Sequence, residues 1–266
     1  MLLEYLKQLR KLLNFVTPPI LVLLVLFSVW EFSVRISGIA EYMLPAPSVI
    51  IMQIISNLPD YAYDTGVTLI EAIGGFVLGV IIAMLGAVIM YQSRILERGL
   101  LPVAVLIKVT PIIAIAPLFV IWLGFGLIPK VLIAAIITFF PVLVNCLAGM
   151  RATSSDITDL LKSLNASRIE IMFKASIPSS YPYLFAAFKI AIPLSVIGAV
   201  VGEWFSGDKG LGSVIIRAHY NLDMPELFGA VFILGFVGIL LTGMVWYLEK
   251  HILFWHDSQK NQDEFL

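Results

Sequence analysis

Glu71, Lys108, Lys189 and Glu203 carry charge within or at the edges of long apolar runs, and they are the first residues here that could do chemistry. An ionisable group at bilayer depth is costly unless it pairs, reaches the interface or serves transport. Glu71 falls about two turns inside one end of its run, and Lys108 and Lys189 lie near the opposite end of theirs. All three can snorkel; Glu71, the shortest, is left to face a pathway or to pair with a basic group. Glu203 precedes Trp204 and the glycine-rich turn Gly207 to Gly212, and is the leading candidate for a gate or substrate-release role.

Bond-making chemistry is poorly supplied. A membrane-embedded enzyme needs a nucleophile with its base, or a His/Asp/Glu constellation, at bilayer depth, and none is visible. His219, His251 and His256 are scattered, so no metal site is expected. The single cysteine, Cys146, excludes an intramolecular disulfide and a Cys-built metal site, and reads as a small buried apolar residue. No G-x-x-x-x-G-K-[ST] phosphate loop occurs, so ATP is not held here in the P-loop manner and no cofactor is expected in this chain. An ion-coupled secondary transporter remains the alternative. It would want an intramembrane acid or acid-base pair and an inverted repeat, whereas Glu71 is the only deep acid and no convincing repeat is seen.

The elements that position these residues follow from composition. The 266 residues are 60% hydrophobic and only 13% charged, and mean hydropathy is +0.98. That is too apolar for a soluble domain. The net charge of −1 offers no global basic field for nucleic acid. An all-α, polytopic membrane protein with six transmembrane helices is expected: Thr17 to Ser33, Thr65 to Met90, Leu100 to Leu123, Val131 to Met150, Tyr183 to Phe205 and Leu227 to Leu248. Lys7, Arg10 and Lys11 precede the first run, but no small-x-small cleavage site follows it, so it reads as an uncleaved helix. Counting Lys and Arg in the connections puts Lys7, Arg10, Lys11, Arg94, Arg98, Arg151, Lys162, Arg168, Lys174, Lys250 and Lys260 on one side. Only Arg35, Lys130, Lys209 and Arg217 fall on the other, which predicts both termini in the cytoplasm.

That orientation leaves Arg151 to Pro182 cytoplasmic. Its apolar positions Ile157, Leu160, Leu161, Leu164, Ile169, Ile171, Met172 and Phe173 recur mostly at three- and four-residue steps, interrupted at Asn165-Ala166-Ser167. The pattern predicts a helix, a break and a second helix, with Asn165 left-handed and Ser167 capping. Pro178 and Pro182 are expected to stop the pattern and turn the chain back into the bilayer. A helix pair lying on lipid headgroups is the simpler reading of the same pattern.

From Asp159 through Asn165 to Ile177-Pro178 the spacing resembles the cytoplasmic signature of ABC importer permeases, EAA, three residues, G, nine residues, I, one residue, LP. Asp159-Leu160-Leu161 stands at the triplet, Asn165 at the glycine, Ala175 at the isoleucine and Ile177-Pro178 at LP. LPAPSVI (Leu44 to Ile50), PIIAIAPLFVIWLGFGLIPK (Pro111 to Lys130), FFPVLVNCLAGM (Phe139 to Met150) and VIGAVVGEWFSGDKGLG (Val196 to Gly212) resemble permeases of the nitrate, sulfonate, taurine and thiamine-precursor group. The resemblance implies a type I ABC importer permease in the bacterial inner membrane. It further implies a homodimer with a second permease copy, two cytoplasmic ATP-binding subunits, and an extracytoplasmic solute-binding protein. On that reading Asp159, Asn165, Ala166, Ser167, Arg168, Ile177 and Pro178 couple to the ATPase, and the substrate is a small polar solute: a thiamine-precursor pyrimidine or similar vitamin-like compound, or sulfonate, nitrate or taurine. The division of the chain would be 1–62 for a first helix and an interfacial helix, 63–250 for the transmembrane domain with its coupling helix near 155–178, and 251–266 for a cytoplasmic tail.

Two further patterns concern packing. Gly75, Gly79, Ala83 and Ala87 make a small-residue ladder, expected to serve intrachain packing ahead of a dimer seam. Pro102, Pro111, Pro117, Pro129, Pro141 and Pro193 distribute breaks along the third to fifth spans; Pro111 and Pro117, with Glu71 and Glu203, are pathway candidates. On the outer face, Pro45 to Asp60 reads as an interfacial helix. With Leu211 to Met224 it would offer a docking surface for the binding protein, while Trp255 suits the membrane interface.

Overall fold

The computed structural model describes residues 2–207 and 209–254, with side chains from Thr17 onward. Trp255, His256, Lys260 and the side chains of Lys7, Arg10 and Lys11 lie outside the described residues. In chain order the helices are α1 (Leu2–Ser37), α2 (Pro47–Ser56), α3 (Leu58–Gln92), α4 (Arg94–Val109), α5 (Ile112–Leu123), α6 (Leu127–Arg151), α7 (Ser155–Ser163), α8 (Arg168–Ile171), α9 (Ile177–Ser206), α10 (Leu211–Asn221) and α11 (Met224–Ile252). No strand occurs among the described residues. Among the described residues five helices are long and apolar enough to cross a membrane, or six if α4 and α5, bent by 95° at their break, count together as one span.

That bend falls inside the expected third span, Leu100 to Leu123, at Pro111, one of the prolines expected to break it. Pro111 offers no backbone N–H and crowds the residue before it, so Thr110 takes an extended conformation (ψ 124°) and the helix stops. Gly124 and Gly126, at φ +77° and +125°, then turn α5 into α6. A correction concerns Pro178 and Pro182, which do not stop the helix. A π turn over Met172–Ser176 joins α8 to α9, with the Ile177 N–H donating to the Met172 carbonyl. The wider turn shifts the register so that Pro178 enters in the first turn of α9, where a missing donor is tolerated; Pro182 lies further along inside it. The expected interfacial helix is also shorter than Pro45 to Asp60, because the chain breaks at Asn57 and restarts as α3 with Pro59 in its first turn.

The middle of the bundle is α6, packed between α3 and α9. In lipid, helices gain little from hiding apolar surface and associate through close contact, which small residues permit. A Cβ on Gly75 would lie 2.3 Å from the Ala134 Cβ, and one on Gly198 2.5 Å from the Ala134 Cα. Gly79 sits equally tightly over Ala135 and Thr138. Ala83 and Ala87 complete the ladder, fully buried with Val142, Leu143 and Cys146. The ladder therefore faces this chain's own α6.

Two faces close the bundle. One carries α10, where Tyr61, Leu211, Val214 and Ala230 cluster; the other carries α7. From Thr17 onward α1 is mostly exposed, and it docks near its C-terminal end, where Phe27 and Trp30 meet Phe228 and Phe232 of α11 with ring centroids about 6 Å apart. There Glu31 also accepts the Ser48 N–H at the start of α2 (2.9 Å).

Candidate functional site

The polar residues singled out in the sequence gather in three places. On the α7 face, the Ser154 hydroxyl accepts the Asp156 N–H to start α7 (3.2 Å), and Asp159 pairs with Lys162 at 2.9 Å. The helix ends on Asn165 at φ +60°, with the Ala166 N–H returning to the Leu161 carbonyl at 3.0 Å. Ser167 then opens α8 with a reciprocal capping box: its hydroxyl accepts the Glu170 N–H, and the Glu170 carboxylate accepts the Ser167 N–H. Because short polar side chains make these bonds locally, helix, break and helix follow from Asn165-Ala166-Ser167. The structure leaves Ile157, Leu160, Leu164, Ile169 and Phe173 exposed by 48–69%.

This surface is tied firmly to the bundle. Ile171, Met172, Ala175 and Ser176 are buried, and Ser176 shares a 2.7 Å hydrogen bond with the Tyr91 hydroxyl at the end of α3. Ile177 packs on the central cluster while Pro178 stays exposed. At the other end of the segment, Arg151 closes α6 and pairs with Glu97 of α4. Short, packed connections therefore join α7 and α8 to α3, α6 and α9.

Below α10, Glu71 and Glu203 come together. Their carboxyls are neighbours, and the Lys130 ammonium lies 2.9 Å from Glu71 and 3.3 Å from the Lys209 carbonyl. The Thr68 hydroxyl donates to Glu203 (2.7 Å) and accepts the Leu211 N–H (2.9 Å). The Gly212 N–H donates to the other Glu203 oxygen, and Asp64 accepts the Gly210 N–H (2.9 Å). Gly210 needs its bare backbone here, since a Cβ would meet Glu203 at 2.0 Å with φ at +100°. The network thus ties α3, α6 and α9 to the loop before α10.

Several expected placements change. Lys130 belongs to the first turns of α6, is 1% exposed, and is not a loop charge. Glu71 takes the basic partner, one of the two options left to it, and Lys189 pairs with Glu249 near the end of α11. Lys108 stays exposed, with its ammonium 4.7 Å from the centre of the Phe140 ring. The sequence marks Lys130 only as a connection charge and does not single out Thr68 or Glu249 as site residues. Thr68 stands one turn before Glu71, a hint of a shared face, but the pairing of Lys130 depends on α3 meeting α6.

The third place is the α4–α5 bend. A cavity of about 360 Å³ opens there, lined by Lys108, Thr110, Pro111, Phe140, Pro141 and Leu194 among others. Pro111 lines it. Pro117 lies within α5 and does not. Among the described residues no group of three or more His, Cys, Asp or Glu side chains is placed to hold a metal ion.

Residues 75–252 match the family described as the binding-protein-dependent transport system inner membrane component. The chain belongs to this family. It is 34% identical over 243 residues to the formylaminopyrimidine transport permease protein of Halalkalibacterium halodurans, covering 91% of this chain and 96% of that one. It is 32% identical to the riboflavin transport system permease protein of Chloroflexus aurantiacus, over 91% and 90% of the two chains. It is 25% identical to the taurine transport system permease protein of Escherichia coli, again over 91% and 90%. The chain is therefore an ABC importer permease, a multi-pass transport subunit rather than an enzyme. Family membership also decides against the secondary transporter, although the Glu71–Lys130 pair is an acid-base pair of the kind such a transporter would use.

Proposed function

We propose that this permease works as a homodimer that carries a small polar solute inward, with cytoplasmic ATP-binding subunits docked on α7 and α8. The observation that carries this reading is the exposed row Ile157, Leu160, Leu164, Ile169 and Phe173, joined through buried Met172 and Ala175 directly into α9. In this reading ATP is held by the partner subunits and no cofactor by this chain. Asp159, Asn165, Ala166, Ser167, Arg168, Ile177 and Pro178 form or position the docking surface, and nucleotide-driven closure of the ATPases rotates α6 and α9. The α7 face and both termini are cytoplasmic, while α2 and α10 face the solute-binding protein, an orientation supported by the Lys and Arg asymmetry.

The bend at Thr110–Pro111 is the candidate pathway element. A broken helix is tolerated where it lines a cavity, and the N-terminus of α5 with Lys108 favours an anionic or acceptor-rich solute. The Glu71–Lys130–Glu203 network ties down the loop before α10, which gives Glu203 a gating role exerted through that loop. A thiamine-precursor pyrimidine or similar vitamin-like compound is the favoured substrate, ahead of sulfonate, nitrate or taurine. The support is the higher identity to the formylaminopyrimidine and riboflavin permeases than to the taurine one.

Photo-crosslinking tests the docking. A benzophenone side chain at Leu160 or Leu164, introduced into the protein in its native membrane, is expected to capture an ATP-binding subunit, while one at Ile239 on α11 is expected not to. Equal capture at both places, or none at Leu160 and Leu164, would remove the coupling role.

A further inference from the structure

A second cleft, of about 760 Å³, lies where α4 starts beside the end of α6, and the coupling reading does not use it. Its polar end holds Arg94, Arg98 and Arg151 with a single acid, Glu97. Glu97 is committed to Arg151. Among the described residues neither Arg94 nor Arg98 has an ion-pair partner, so the rim keeps a surplus of two positive charges.

The position of these arginines sharpens the point. Both stand in the opening turns of a 16-residue helix whose Ser93 cap already accepts the Leu96 N–H. Basic side chains at a helix N-terminus oppose the macrodipole, so the local potential is positive from two sources at once. An anion relieves both. Below the arginines the cleft turns apolar: Leu101, Pro102, Val105 and Leu106 continue along α4 from Arg98, a run of about 12 Å at the helical rise. A guanidinium rim above an apolar strip at the start of α4, the first half of the bent α4–α5 pair, matches a phosphodiester headgroup with an acyl chain beneath it.

We infer that this cleft binds an anionic phospholipid, its phosphoryl group held by Arg94 and Arg98 and one acyl chain lying on Leu101, Pro102, Val105 and Leu106. Because Arg151 is three residues before the Ser154 cap of α7, the lipid sits at the root of the exposed α7–α8 surface.

Native mass spectrometry of the purified full chain in mild detergent tests this, using dioleoylphosphatidylglycerol and dioleoylphosphatidylcholine, which share acyl chains and differ in headgroup. The wild type is expected to bind the anionic lipid about tenfold more tightly, near the scale set by basic residues at a membrane surface. In R94Q/R98Q that preference disappears while phosphatidylcholine binding persists, which also reports an intact fold; R94K/R98K keeps most of it, and R98Q alone provides a milder variant. Equal binding of the two lipids by the wild type, or an unchanged preference in R94Q/R98Q, would overturn the inference. Displacement of the anionic lipid by equimolar inorganic phosphate would overturn it too, in favour of a simple oxyanion site. Loss of a co-purifying ATP-binding subunit from R94Q/R98Q with lipid preference intact would reassign the arginines to that protein.

Discussion

Glu71, Lys130 and Glu203 below α10 are 2%, 1% and 0% exposed and bonded within the chain, whereas Ile157, Leu160, Leu164, Ile169 and Phe173 on the α7 face stand 48–69% exposed. The α10 end has brought charge inside and paired it within the chain, with one Glu71 oxygen left without a hydrogen-bond partner, and the α7 end has put apolar side chains outside. A buried, paired network is sensitive to losing any one member, because the remaining partner is stranded in low dielectric. An exposed apolar row contributes little to the fold of this chain, so its value lies in what covers it.

The comparison can be broken first at Lys130. Lys130→Met strands the two carboxyls, and a loss of roughly 3–5 kcal/mol is expected in chemical denaturation of the detergent-solubilised protein. Adding Glu71→Leu should recover much of that loss, since the cost is an orphaned charge rather than a missing bond. A failure of the second substitution to help would mean that the network is held mainly by Thr68 and the α10 loop. Next comes Gly198→Val, which forces side-chain atoms into the Ala134 backbone; roughly 1–3 kcal/mol should be lost, visible as a lower melting temperature. Ser167→Ala removes one half of the capping box and should cost about 1 kcal/mol, read locally as faster amide exchange at Glu170 and Ile171. Smallest of all, Leu160→Ser with Leu164→Ser should leave the melting temperature of the isolated permease nearly unchanged, within about 0.5 kcal/mol. A large destabilisation there would show that the α7 row supports the fold after all.

Local chemistry is what the sequence displays well. The left-handed Asn165 and the Ser167 cap are decided by residues within a few positions of one another, and the long apolar runs declare themselves by composition alone. The bend at Thr110–Pro111 was half visible. A proline marks it, but Pro102, Pro117, Pro141 and Pro193 all remain inside helices, so proline by itself does not say where a helix breaks. The π turn that carries Pro178 into α9 leaves no comparable mark, and its absence from the sequence pattern is why Pro178 and Pro182 read as stops. Lys130 was hidden for a different reason. At the end of GLIPK it looks like a loop charge, and only the packing of α6 between α3 and α9 carries it beneath Lys209 and against Glu71.

In the proposed coupling, the exposed α7–α8 surface passes ATPase motion into α6 and α9. The most direct test of this coupling is ATP hydrolysis by the permease assembled with its ATP-binding subunits in lipid nanodiscs, measured with and without the solute-loaded binding protein. With Leu160→Ser and Leu164→Ser the stimulation by the binding protein should vanish while the permease stays folded and monodisperse. Stimulation at the wild-type level in that variant would contradict the account.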